Sequence, residues 1–448
     1  MNRHVGWWWL RCAGSLLFLV CLRPAGIDAQ QPPFEGAVSP EPLEPRERLT
    51  EADLEGPDAI LFGVHRVVSL GLAPLVEFGV EKGLIGSGSG SIEGFRINPG
   101  SLGSNSGIGL SVGYVAYPAP VWAGASVGYT TKRYQEHEAF VGVRTDRGDR
   151  YLRVTGSYDL DTEDEFAGLG MDSPEFIDED EQDPATDYRQ EEIRLLGDGA
   201  VLFAENVRVG ARGGWRKNNL RGGENDDVED TQAFFQDSLL PGVGAELPGI
   251  SGEAAEYGQY GGFLAYDSRN DPNNPDRGLL LAGSADLFRG VSETPFDVDR
   301  FAGELVGYLP LPDETRVFAV RLLGVHQEPG EDQVLVPFYY LSSLGGGSFL
   351  RSFSSFRFQD NDLLYGAAEL RRRVWTEAAG QAALDASLFV ESGGVYRDLT
   401  EDVSLGDMEQ SFGTELRILA PNDVVARLGA ALGSSEGAKL YLSGGGRF

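Results

Sequence analysis

Apolar and polar residues alternate with a period of two along most of the chain beyond about residue 60. In YLRVTGSYDL, Leu152, Val154, Gly156, Tyr158 and Leu160 share one side, with Arg153, Thr155, Ser157 and Asp159 on the other. NVRVGARGGWRK sets Val207, Val209, Ala211, Gly213 and Trp215 against Arg208, Arg212 and Arg216. EQSFGTELRIL sets Phe412, Thr414, Leu416 and Ile418 against Glu415 and Arg417. This pattern predicts strands with one apolar and one polar face. A soluble sandwich gives the same alternation with shorter strands and its apolar faces turned inward. Here the runs are ~9–13 residues, long enough for a tilted strand to cross a bilayer. Their polar faces carry several charges each, as a wet lumen accommodates. The expected fold is all-β, an antiparallel transmembrane barrel.

Sixteen such runs are legible: 73–82, 107–117, 121–133, 136–145, 149–160, 190–203, 206–217, 256–267, 277–289, 300–311, 315–327, 363–375, 384–396, 409–419, 423–432 and 438–448. An even number suits a single-chain bacterial barrel. The connections alternate in length, with long ones at 83–106, 161–189, 218–255 and 328–362 and mostly short ones between. Long external loops and short periplasmic turns are the asymmetry such a barrel shows. The 161–189 connection is crowded with carboxylates and reads as a solvated acidic loop. Divalent-cation binding is the second reading there, although the spacing of an EF-hand loop is absent. The chain also ends on an aromatic residue, Phe448, as outer-membrane barrels commonly do.

Charge and leader narrow the setting. A formal charge of −32 argues against nucleic acid as a partner, because neutralising phosphates needs Lys and Arg. Residues 1–29 read as a secretory signal peptide, with early Arg3 and Arg11, an apolar run and Ile27-Asp28-Ala29 before the cut. Both cysteines, Cys12 and Cys21, fall inside it, so the mature chain would have no thiol chemistry. Residues 30–59 are rich in Pro and Glu and read as a disordered periplasmic tether, and 60–72 as a lead-in to a barrel spanning 73–448. Beyond the leader the histidines are His65, His137 and His326, and no nucleophile motif accompanies them. Glu136 and Glu138 around His137 read as surface charge. No enzyme, metal or cofactor is expected.

Two motifs add a resemblance. YDSRNDPNNPDRG (266–278), with Asp267, Arg269, Pro275 and Gly278, resembles the aromatic-Asp-x-Arg…Pro-x-x-Gly signature of the bacterial surface-antigen barrel superfamily. That superfamily includes BamA, TamA and the transporters of two-partner secretion. Farther on, GGGSFLRSF (345–353) resembles its Val-Arg-Gly-Phe/Tyr motif, with Leu350-Arg351-Ser352-Phe353 in those positions and Ser352 departing from Gly. LLYGAAELRRRVW and LFVESGGVY resemble the strands that follow. The resemblance covers about residues 73–448.

It implies that the long loop between strands 11 and 12 folds back into the lumen, where Arg351 pairs with Glu391 and Phe353 packs on the wall. Parity agrees, since Glu391 shares the polar face with Asp385 and Ser387, and Leu384, Leu388 and Val390 lie opposite. In BamA-like barrels the first and last strands meet at a weak seam. Gly444, Gly445, Gly446 and Phe448 fit such a seam, and the glycines equally fit relief of crowding beside the lumen loop. The residues ahead of the barrel are too few for the family's periplasmic POTRA domains, so the expectation is a short form without them. The implied function is insertion or translocation of a protein substrate at the outer membrane; the alternative is a passive channel or structural barrel. Implied partners are outer-membrane lipid, the barrel-assembly machinery for the chain's own insertion, and a periplasmic or secreted protein.

Overall fold

The computed structural model describes residues 72–74, 76, 95–100, 106–116, 120–145, 148–171, 186–225, 230–231, 247–250, 254–271, 274–312, 316–331, 333–378, 380, 382–420, 423–434 and 437–444. The leader (1–29) and tether (30–59) readings lie outside them, as does the lead-in (60–72) apart from Leu72.

Among the described residues, sixteen antiparallel strands form one sheet in unbroken chain order. They are β1 (Phe95–Gly100), β2 (Gly109–Ala116), β3 (Val121–Thr130), β4 (Gln135–Arg144), β5 (Arg150–Phe166), β6 (Thr186–Ala204), β7 (Val207–Gly222), β8 (Ala255–Asp267), β9 (Gly278–Val291), β10 (Val298–Pro310) and β11 (Arg316–Pro329). After a long connection come β14 (Asp362–Thr376), β15 (Ala383–Tyr396), β16 (Glu409–Ala420), β17 (Asp423–Ser434) and β18 (Gly437–Gly444). Within that connection, β12 (Ser342–Leu344) and β13 (Phe358–Asp360) pair with each other as a separate hairpin.

The sheet is a transmembrane barrel. Arg417 of β16 donates from Nη2 to Asn274 Oδ1 in the β8–β9 turn at 3.3 Å. A contact between strands so far apart in the sheet order requires the sheet to curl round on itself. The strand alternation expected from sequence sets the wall: Leu152, Val154, Leu195, Val209, Leu264, Leu322, Val390 and Phe412 are exposed on the outer surface, where lipid replaces water as the apolar solvent. Inward-facing side chains pair across strands, as in Arg153–Asp198 at 2.9 Å, Arg216–Glu192 at 3.0 Å and Arg321–Glu304 at 2.7 Å.

Three expectations change. The expected first strand, 73–82, opens in helix, with Leu72, Ala73, Pro74 and Val76 helical and 77–82 outside the described residues; the first described strand, β1, lies at Phe95–Gly100, within the expected 83–106 loop. The count of sixteen holds because this strand takes the place of the misread one. The helical residues explain the error. Val76 packs with Leu384 and Leu416, with Leu72 and Trp375 beside them, so its apolar residues serve a helix lying on the wall. This cover also removes Leu384 from the lipid-exposed set; it is buried. The acidic 161–189 segment is shorter as a loop than expected, because β5 runs to Phe166 and β6 starts at Thr186. Its remaining acidic core, 172–185, lies outside the described residues.

The long connection packs its apolar side chains against the barrel wall. Phe349, Leu350, Phe353 and Phe358 form one buried cluster with Ala302, Leu323, Leu363, Tyr365 and Val395 of the wall. Phe338, Leu335, Leu247, Ile250, Phe166 and Tyr188 form a second cluster that joins the β7–β8 and β11–β14 connections to strands β5 and β6. Each large apolar side chain so removed from water contributes about 1.5–3 kcal/mol.

Candidate functional site

The long β11–β14 connection is held in shape by its own backbone before any charge is considered. Gly345 and Gly346 have φ of 115° and 78°. A Cβ on Gly345 would stand 2.1 Å from Ser354 O, so only glycine fits this close approach. Gly345 N donates to Phe349 O at 3.1 Å and Gly346 N to Phe353 O at 3.0 Å, closing the loop tip above the β12–β13 hairpin. Leu350 and Phe356 also carry positive φ, at 49° and 55°, a conformation that non-glycine residues hold only when their surroundings fix it. Phe349 meets Tyr365 edge-on at 5.0 Å, and Phe353 meets Phe358 at 5.1 Å. The base is tied too: Gln327 Nε2 donates to the carbonyls of Tyr340 and Asn361, both at 2.7 Å.

This scaffold delivers Arg351 to the inner wall. Its backbone N–H donates to Glu391 Oε2 and its Nε to Glu391 Oε1, both at 2.8 Å. Its Nη1 reaches Glu415 Oε2 of β16 at 3.2 Å and Tyr441 Oη of β18 at 3.3 Å. The guanidinium carbon lies 3.4 Å from the Phe389 ring centroid. Tyr365 Oη donates to Glu391 Oε1 at 2.7 Å, and Tyr441 Oη to Glu415 Oε2 at 2.9 Å. Arg351 and Glu391 are 2% and 1% exposed, so their charges interact with little solvent screening. Burial alone would lower the guanidinium pKa, but Glu391, then Tyr441 and Glu415, hold it well above the usual value. Arg351 is therefore cationic.

Of the three residues expected at this lock, Arg351 lies on Glu391, and Phe353 sits in the buried loop–wall cluster. Glu415, Tyr365, Phe389 and Tyr441 join them without having been expected there. Glu415 was visible as an inward-facing acid on a neighbouring strand, but only strand register shows which acids lie within reach. Glu391 stands opposite Ser411, and Glu415 is opposite Ser387. Ser352, the departure from the motif, has no positive φ. Its N–H donates to Ser411 Oγ at 3.1 Å. A side chain is therefore sterically tolerated at that position.

The second motif forms the β8–β9 turn. Arg269 grips Asp267 through Nε–Oδ1 at 2.9 Å and Nη2–Oδ2 at 2.8 Å, and its backbone N–H donates to the same carboxylate at 3.1 Å. Gly278 has φ of 103°, and a Cβ there would come within 2.3 Å of Ser268 O. Pro275 is buried. These bonds tie the described ends of the turn, and its Asn274 is the residue that meets Arg417.

At the seam, Gly444 ends β18 opposite Ala426; Gly445, Gly446 and Phe448 lie outside the described residues. The two edge strands come within contact distance, but among the described residues no hydrogen-bonded ladder joins β1 to β18. At six and eight residues they are shorter than most of the wall.

A family model for the Omp85 superfamily domain matches residues 123–428, more than half of the chain. Among solved structures, BamA from Haemophilus ducreyi lacking POTRA domains 1–3 is similar at 16% identity and a TM-score of 0.53, over 78% of this chain and 67% of that one. CdiB from Escherichia coli is similar at 13% identity and a TM-score of 0.49, over 78% of this chain and 61% of that one. CdiB from Acinetobacter baumannii shows 11% identity and a TM-score of 0.44, over 78% and 57%. This chain thus spans about three fifths of the CdiB chains it matches. No curated protein sequence matches it at a significant level. With the family match laid over the barrel and its inward loop, the chain is an outer-membrane protein belonging to the Omp85 superfamily.

Proposed function

We propose that this barrel inserts or translocates a protein substrate at the outer membrane, with the Arg351 loop as the internal lock that holds the barrel in shape while its edge strands part. The observation that carries this reading is the reach of Arg351. One side chain bonds Glu391 on β15, Glu415 on β16 and Tyr441 on β18, so the loop is tied to the strand at the edge of the sheet. An edge strand exposing unpaired backbone groups is a template for another strand, and among the described residues no ladder joins β1 to β18. The family, and the likeness of the fold to BamA, support the same reading. The buried apolar clusters that the long connection forms with the wall favour this reading over a passive channel, which needs a continuous water path.

Depletion tests it. Quantifying the outer-membrane and secreted proteins after depletion should show loss of at least one other protein, restored by the wild-type chain and poorly by Arg351→Ala. An unchanged protein profile, with loss of permeability to one small solute, would establish the passive channel instead.

A further inference from the structure

His326 near the end of β11, Asp362 at the start of β14 and Asp398 in the β15–β16 connection each offer a ligand atom, all within 4.8 Å of one another. His326 Nδ1 lies 2.6 Å from Asp362 Oδ2, and Glu328 Oε1 stands 3.6 Å from His326 Nε2. Two features separate this group from an ordinary surface ion pair. The Asp362 side chain has no solvent exposure, and among the described residues its single ion-pair partner is an imidazole. Arg397, the neighbour of Asp398 in sequence, is engaged elsewhere, with Nε 2.8 Å from Asp360 Oδ1. Three carboxylates therefore surround one imidazole, and one of them is fully desolvated. Such a carboxylate is costly without a cation beside it.

The donor atoms also suit a particular cation. One imidazole nitrogen and carboxylate oxygens are the ligand types of Zn²⁺ and similar divalent transition metals, bound at about 2.0–2.2 Å. Asp362 is aimed by backbone amides, with Gln327 N–H on Oδ1 and Leu399 N–H on Oδ2, both at 2.7 Å; bonds of this kind orient metal ligands. Asp398 Oδ1 is held by Thr400 N–H at 2.7 Å. A cation between them needs only a small separation of His326 from Asp362.

We infer that His326, Asp362 and Asp398 form a binding site for a divalent transition-metal cation of the Zn²⁺ class. The site joins the two wall strands from which the lumen loop departs and returns to the connection beyond β15. Bound metal would clamp the base of the loop as Arg351 clamps its tip.

The experiment is isothermal titration of Zn²⁺ alone into the full chain folded in detergent, with Ca²⁺ titrated in parallel. One Zn²⁺ per chain is expected, bound more tightly than Ca²⁺, with affinity falling at least ~10-fold in His326→Ala and in Asp398→Asn. Folding is checked by heat-modifiable gel migration. If His326→Ala fails to fold, Asp398→Asn decides alone, because it leaves the wall untouched and keeps an oxygen acceptor for Thr400. Absence of stoichiometric Zn²⁺ binding, equal Ca²⁺ affinity, or unchanged Zn²⁺ affinity in folded Asp398→Asn would overturn the assignment.

Discussion

Truncating Arg351 to alanine removes the guanidinium that binds Glu391 and Glu415 but leaves both carboxylates in place. Their side chains are 0% and 2% exposed. Glu391 keeps the Tyr365 hydroxyl and the residue-351 backbone N–H, and Glu415 keeps the Tyr441 hydroxyl. Breaking a buried pair from one side costs about 3–5 kcal/mol. The retained donors put the expected loss near the lower end, about 3 kcal/mol, with the Phe389 stacking adding to it. A loss of that size shifts the docked–undocked equilibrium of the loop roughly a hundredfold. Trypsin reports it at Arg357, which sits within the docked loop. The folded Arg351→Ala barrel should be cleaved there far faster than wild type, and its heat-modifiable form should unfold at lower temperature. Replacing Arg351 and Glu391 together by methionine should cost less than the sum of the single changes, because no charge of that pair is then stranded. Cleavage within twofold of wild type, with unchanged heat resistance, would refute the pairing as the hold on the loop.

Further outcomes follow from neighbouring geometry. Tyr441→Phe removes the donor to Glu415 and one acceptor for Arg351, and should weaken loop protection by about 0.5–1.5 kcal/mol in the same protease assay. Gly278→Ala forces a Cβ against Ser268 O at positive φ and should reduce the yield of folded barrel in urea refolding by an amount corresponding to about 1–3 kcal/mol. Ser352→Gly, which restores the family residue, should lower stability by about 0.5–1 kcal/mol, because no positive φ there repays glycine's added freedom.

The wall was legible because period-two alternation reports a face, and the faces held: Arg212 and Arg216 point to inward partners, Val209 to lipid. The first strand was not legible. Residues 72–76 present apolar side chains whether a helix or a strand uses them, and Val76 shows that the helix won by covering Leu384 and Leu416. The Arg351–Glu391 contact was reachable through motif and parity together. Glu415 and Tyr441 were not, because partners on β16 and β18 depend on register and barrel curvature, which no local pattern encodes. The His326 group was hidden for the same reason: its members lie 36 residues apart between His326 and Asp362 and as many again to Asp398.

Photo-crosslinking at the edge strand tests the account most directly. Leu440 on β18 is 84% exposed and Leu152 on β5, inside the sheet order, 58%, so a crosslinking amino acid at either position looks outward without disturbing the lumen. In growing cells, the Leu440 position should capture a polypeptide other than this chain, and the Leu152 position should not. Capture of lipid alone at Leu440, or the same protein adducts at both positions, would contradict a barrel that handles its substrate at the seam.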